Sequence, residues 1–84
     1  MKLTDLTAFA PARVVAVSDV TDGDGISRRL RELGFVDGEE ISVVGRGPIG
    51  ADPLLVQIGF TRFALRRSEA DRVTVERLSA GSAA

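Results

Sequence analysis

The chain has 84 residues, enough for one compact domain. It contains no Cys and no His, which excludes a disulfide framework, a thiolate nucleophile, a zinc ribbon and the commonest general base. A net charge of −1, with 44% hydrophobic and 27% charged residues, argues against both disorder and general nucleic-acid binding.

In chain order, Leu3 and Leu6 lie three apart and predict a short N-terminal turn docked by one apolar face. Pro11 breaks the chain, and Arg13 to Ser18 reads as a buried strand. Asp19 to Gly25 is Gly/Asp-rich and predicts a loop. Gly25 to Leu33 is the one clear helix, with Ile26, Leu30 and Leu33 on one face. Asp24 is its expected N-cap. Gly34 is its expected left-handed C-terminal residue, with Phe35 folding back onto Leu30.

Asp37-Gly38 is a turn signal, and Glu40 to Arg46 reads as a strand. The stretch from Gly45 to Pro53 is punctuated by Gly and Pro and predicts a long connection. Leu54, Val56 and Ile58 alternate against Leu55 and Gln57, which predicts another strand. Gly59 to Thr61 reads as a tight turn, and Arg62 to Arg67 as the returning strand with Phe63 and Leu65 inward. Ser68 to Asp71 has the S-x-x-D spacing of a capping box, with Ser68 as N-cap. Val73 and Val75 mark a last strand. Residues 79–84 are small and polar and are expected to form a disordered tail, leaving one domain over 1–78. Five short strands and one short helix suit a mainly β, small, partly open barrel.

Two segments then carry a family likeness. The first, Arg29 to Val43, reads R-L-x-x-L-G-F-x-x-G-x-x-I-x-V. The second, Gly59-Phe60-Thr61-Arg62-Phe63-Ala64-Leu65-Arg66, is followed by Glu69-Ala70 and Val73-Thr74-Val75. Together with Pro48 to Leu54, they resemble the FeoA family, small cytoplasmic proteins of ferrous iron transport. The same domain is similar to the C-terminal SH3-like domain of iron-dependent repressors. The resemblance spans roughly Leu3 to Val75. It implies an SH3-like barrel without enzymatic activity, and partnership with FeoB, a membrane protein with a cytoplasmic GTP-binding domain that moves Fe²⁺.

The candidate sites divide by chemistry. Gly45, Gly47 and Gly50 lack the Lys-Ser/Thr of a phosphate loop. Ser18, Ser27, Ser42 and Ser68 have no His to activate them, so no catalytic residue and no required cofactor is expected. The acids Asp19, Asp22 and Asp24, Glu39-Glu40, and Glu69 with Asp71 read as a solvated face with helix-capping roles. Such carboxylates suit at most a weak, adventitious divalent cation.

All but one of the eleven positive residues are Arg, the residue best suited to carboxylates at interfaces. Arg28 and Arg31 on the helix, Arg46 before the Gly/Pro stretch, and Arg62 and Arg66 on the returning strand are therefore the candidate partner-binding set. Ile49, in the Gly/Pro stretch, joins them as either a core lid or an anchor. The simpler reading of any one Arg is pairing with a nearby acid on a solvated face.

The expected function is a cytoplasmic accessory protein of ferrous iron transport that binds FeoB. The alternatives are a small nucleic-acid-binding barrel or a repressor-associated SH3-like adaptor. The lack of Trp and Tyr weighs against the adaptor, and the net charge against the nucleic-acid reading. Insertion into the membrane is not expected, and an exposed strand edge leaves a homo-oligomer open.

Overall fold

The computed structural model describes residues 1–49 and 52–78, with the backbone path alone at 48 and 49. Five strands form one antiparallel sheet: β1 (Ala12–Val17), β2 (Glu40–Ile49), β3 (Asp52–Ile58), β4 (Thr61–Leu65) and β5 (Val73–Arg77). Their spatial order is β4-β3-β2-β1-β5, which puts β4 and β5 at the two ends of the sheet; on the outer side of β5, Met1 and Lys2 bridge to Val75 and Thr74. Helix α1 (Gly25–Leu33) follows β1, and the single turn α2 (Arg67–Ala70) carries the chain from one edge strand to the other. The mainly β, curled and partly open architecture is the one expected.

The core is built from the inward side of each strand. Val14, Ile41, Val43, Leu54, Val56, Leu65, Val73 and Val75 meet Phe35 and Leu30, and all are buried. The alternation at Leu54 and Val56 against half-buried Leu55 and Gln57 is the period-2 pattern of a strand with one buried face. The N-terminal segment forms a 3₁₀ turn (Leu3–Asp5) that buries Leu3 and Leu6. Thr4 Oγ1 ties it to Asp71 at 2.8 Å.

Helix α1 ends where local chemistry says it should. Asp24 accepts from the Ile26 amide at its start. Gly34, at φ 116°, turns the chain at its end, and the Phe35 amide donates back to the Leu30 carbonyl at 3.1 Å.

Three expectations are corrected. The segment after Pro11 is not buried throughout. Ala12 and Val14 face the core, but Val15 and Ala16 are exposed, because a register shift between Val14 and Ala16 turns the strand. The Gly/Pro stretch is not a long loop. Strand β2 runs on to Ile49, which pairs with Asp52. Two register shifts, at Val43/Gly45 and Arg46/Ile49, absorb the irregular residues within the ladder.

Ser68 does not cap α2. Strand β4 stops at Leu65, so Arg66 becomes the N-cap and its amide donates to Glu69 Oε1 at 2.8 Å. Asp52 Oδ1 takes the Arg67 amide at 3.0 Å. Arg62 and Arg66 therefore do not share a strand face. The expected tail at 79–84 lies outside the described residues.

Candidate protein-docking cleft

One face of the molecule gathers exposed apolar surface between secondary elements. Helix α1 shows Ile26, Arg29, Leu30 and Leu33 to β4, which shows Arg62, Phe63, Ala64 and Leu65, and Glu69 of α2 closes one side. The cleft between them has a volume of about 280 Å³.

The helix turns its stripe only partly inward. Leu30 and the small Ser27 are buried, whereas Ile26 and Leu33 remain 36% and 38% exposed. Ser27 can occupy the core side because its hydroxyl lies 2.7 Å from the Ser18 carbonyl and 3.1 Å from Asp24. The rest of the stripe is left as a wall of the cleft. Phe63 forms the floor, half-buried, with its ring centroid 5.6 Å from that of Phe35 and tilted by 53°.

The expected partner-binding residues separate in the structure. Arg62 lies in the cleft wall, with its Nε 3.0 Å from Gln57 Oε1. Arg31 reaches back to the end of β1, donating to the Val17 carbonyl at 2.7 Å and pairing with Asp19 at 3.2 Å. Arg46 donates to the Leu6 carbonyl and so holds the N-terminal turn. Arg66 caps α2 through its backbone. Arg28 is exposed on α1, outside the cleft lining. The side chain of Ile49 lies outside the described residues. Arg29, Ile26, Leu33 and Phe63 complete the cleft. Ile26 and Leu33 carried a sequence signal, as the ends of the helical stripe.

The acids also separate. Asp24 is not part of a solvated face. It is buried and accepts from the Val20 amide (2.9 Å), the Ile26 amide (3.1 Å) and Arg72 Nε (2.7 Å). The backbone donation from Val20, then the Arg72 guanidinium, hold its carboxyl well below the usual carboxylate range. Asp24 caps α1 and Arg72 lies at the α2–β5 corner, so this pair joins the two helical elements that wall the cleft.

A group whose folded pKa is depressed contributes stability above its unfolded pKa and loses it as pH falls toward the folded value. The wild type should therefore lose stability as pH drops below about 4. Asp24→Asn should lower the urea midpoint at pH 7 and flatten that acid limb. An unchanged slope between pH 4 and pH 2 would remove Asp24 from the acid response. Among the described residues no three acids come together in a way that could hold a metal ion. No helix among them is long and apolar enough to cross a membrane.

An open, antiparallel five-stranded sheet with one short helix and an apolar, Arg-rimmed cleft defines a small SH3-like domain. Comparison with known proteins makes this specific. The FeoA domain family model matches residues 1–77, and the chain belongs to that family, which is linked to ferrous iron transport. A Porphyromonas gingivalis protein described as an Fe(2+) transport protein A/Fe(2+) transporter FeoB fusion is 35% identical over 83 residues. Those residues are 98% of this chain but 9% of the fusion protein, so the chain spans only a small part of that relative.

Among solved structures, a Stenotrophomonas maltophilia FeoA complexed with zinc is 58% identical, with a TM-score of 0.84, over 90% of this chain and 89% of that one. The iron(II) transport protein A of Clostridium thermocellum is 37% identical, with a TM-score of 0.82, over 94% of this chain and 46% of that one. ScaR, described with bound Cd2+, is 15% identical, with a TM-score of 0.74, over 93% of this chain and 35% of that one, and shares the fold alone.

Proposed function

We propose that this chain is an accessory and regulatory protein of ferrous iron transport that works by binding the cytoplasmic part of an FeoB-type transporter through the α1–β4–α2 cleft. The observation that carries the reading is the P. gingivalis fusion, in which a segment similar to nearly all of this chain is described together with FeoB in one polypeptide. Covalent linkage of this kind raises the effective concentration of two modules for each other, which is of use when they act together. The S. maltophilia relative, described as a candidate ferrous iron transport activating factor, points the same way. The site of action in this reading is the cytoplasm, and no resident metal or cofactor is part of it.

The cleft suits the role because it pairs apolar walls with two Arg residues at its rim, the mix enriched where binding energy concentrates. The test is co-purification of the chain with the cytoplasmic part of the FeoB from the same organism, joined to Fe²⁺ uptake in a clean deletion strain. Leu33→Asp and Arg62→Glu should each weaken the complex by about tenfold or more, the equivalent of about 1.4 kcal/mol. Arg28→Glu, outside the cleft, should leave it within about twofold. Absence of a complex together with normal uptake in the deletion would sink the reading.

A further inference from the structure

β4 is an edge of the sheet, paired with β3 on one side and, among the described residues, with no strand on the other. The β3–β4 hairpin turns over two residues, Gly59 and Phe60, between the paired Ile58 and Thr61, with Gly59 at φ 59°. In a two-residue hairpin the closing pair exchanges both backbone hydrogen bonds, and the pattern alternates from there. Thr61, Phe63 and Leu65 therefore aim their N–H and C=O groups at β3. Arg62 and Ala64 aim theirs outward. Among the described residues neither makes a backbone hydrogen bond outside the β3 ladder, and both line the cleft.

Across from this edge, α1 presents Ile26 and Leu33, with Phe63 as the floor. An exposed strand edge facing a helix across an apolar cleft has the geometry in which an extended peptide adds to a sheet. Its main chain pairs with the edge, and alternate side chains enter the cleft. Arg29 and Arg62 are the cations at this cleft. Among the described residues Glu69 is the one acid lining it, so two cations stand against one carboxylate, whose Oε1 also accepts the Arg66 amide at 2.8 Å. The charge left for an incoming segment is positive.

We infer that this cleft takes an extended segment of a partner protein, which pairs with β4 as a further strand. The segment sets an apolar side chain between Ile26, Leu33 and Phe63 and gives a carboxylate to Arg29 or Arg62. A second copy of the chain is the poorer occupant. Two β4 edges paired about a two-fold would bring both copies of Arg62 onto one face with no acid between them. The inference uses the same cleft as the proposed transporter docking, but it specifies the mode of binding and does not need the transporter to be the partner.

The test titrates the isotope-labelled full chain with three synthetic hexapeptides. They are acetyl-EVTLEV-amide, acetyl-KVTLKV-amide, and the first peptide N-methylated at alternate backbone nitrogens. The acidic peptide should bind with a Kd below about 1 mM, and the other two at least about tenfold more weakly. Amide exchange at Arg62 and Ala64 should slow by about tenfold or more in the complex. Ala64→Pro deletes the outward N–H at an edge position, where Pro is tolerated, and should abolish binding with the amide spectrum still that of the folded chain. Arg62→Glu should reverse the preference between the Glu and Lys peptides, which keeps the test decisive if the Pro variant fails to fold.

Failure of the acidic peptide to bind, equal binding of the N-methylated peptide, or unchanged exchange at Arg62 and Ala64 would each overturn the inference. So would a dimer of the free chain that dissociates on Ala64→Pro, since that assigns the edge to a second copy. A complex with the FeoB cytoplasmic part that survives folded Ala64→Pro unchanged would keep the transport reading and overturn strand addition. Peptide binding of the expected kind without any FeoB complex would do the reverse.

Discussion

Phe35→Ala should cost the fold about 3–5 kcal/mol, the range for removing a fully buried aromatic ring. Phe35 is among the largest fully buried side chains, and it touches several parts of the molecule at once. Its amide closes the end of α1 on Leu30, and its ring packs against Phe63 on β4. A chain of this size holds a total stability of only about 4–13 kcal/mol at ordinary values per residue. The substitution should therefore lower the thermal midpoint by about 12 °C or more, at about 4 °C or more per kcal/mol for a small domain. The same change undercuts the cleft, because Phe63 is its floor. Affinity for a partner should fall even below the temperature at which the chain unfolds. Thermal melts beside a binding titration at low temperature check both halves, and a midpoint within a few degrees of wild type would refute the packing argument.

Gly47→Ala should also destabilise the fold strongly, and the reason is backbone approach. A Cβ on Gly47 would lie 2.2 Å from the Asp52 carbonyl oxygen and 2.7 Å from Pro53 Cδ. Neither neighbour is the end of a flexible side chain, so the two arms of the β2–β3 hairpin would have to part. Overpacking of this kind costs about 1–3 kcal/mol or more. Asp52 also receives the Arg67 amide, so the displacement should reach α2 and the Glu69 side of the cleft.

Gly45→Ala is the control. Its Cβ would meet Leu55 Cβ at 3.6 Å, an ordinary contact. Losing a glycine from the unfolded chain should make that variant neutral or up to about 1 kcal/mol more stable. Urea unfolding of the pair checks the contrast. Equal midpoints would mean that the hairpin arms can separate at no cost.

The helix was legible from its own residues. Asp24, Gly34 and Phe35 stand within one turn of the ends they cap, and a cap acts over that distance. The alternation from Leu54 to Ile58 was legible for the same reason, since a strand with one buried face must repeat every second residue. The β2–β3 hairpin was not. Gly45, Gly47 and Pro48 are loop residues by local preference, and only pairing with β3 through two bulges makes them strand. Ser68 misled in the same way. Which residue caps α2 depends on where β4 stops, and that is set by the pairing of Leu65 with Leu54.

The candidate site was legible only in part. Arg62 was marked as an Arg on a strand, and Ile26 and Leu33 as the ends of a helical stripe. Nothing local says that Leu30 alone of that stripe goes inward, or that Arg31 and Arg46 turn back to carbonyls of their own chain. Asp24 and Arg72 are 48 residues apart, and their contact leaves no trace in spacing or composition.

The absence of Cys and His, the capped helix, the alternating strands and the family motifs are all properties of the chain read in one dimension. They suffice to exclude most chemistry and to assign the family. Which Arg faces outward, which strand is left as an edge, and what lies across from that edge are decided only when β4 and α1 meet across the opening of the barrel. Those are contacts between residues far apart in the chain, and burial and pairing energies across the fold select them where local preference is silent.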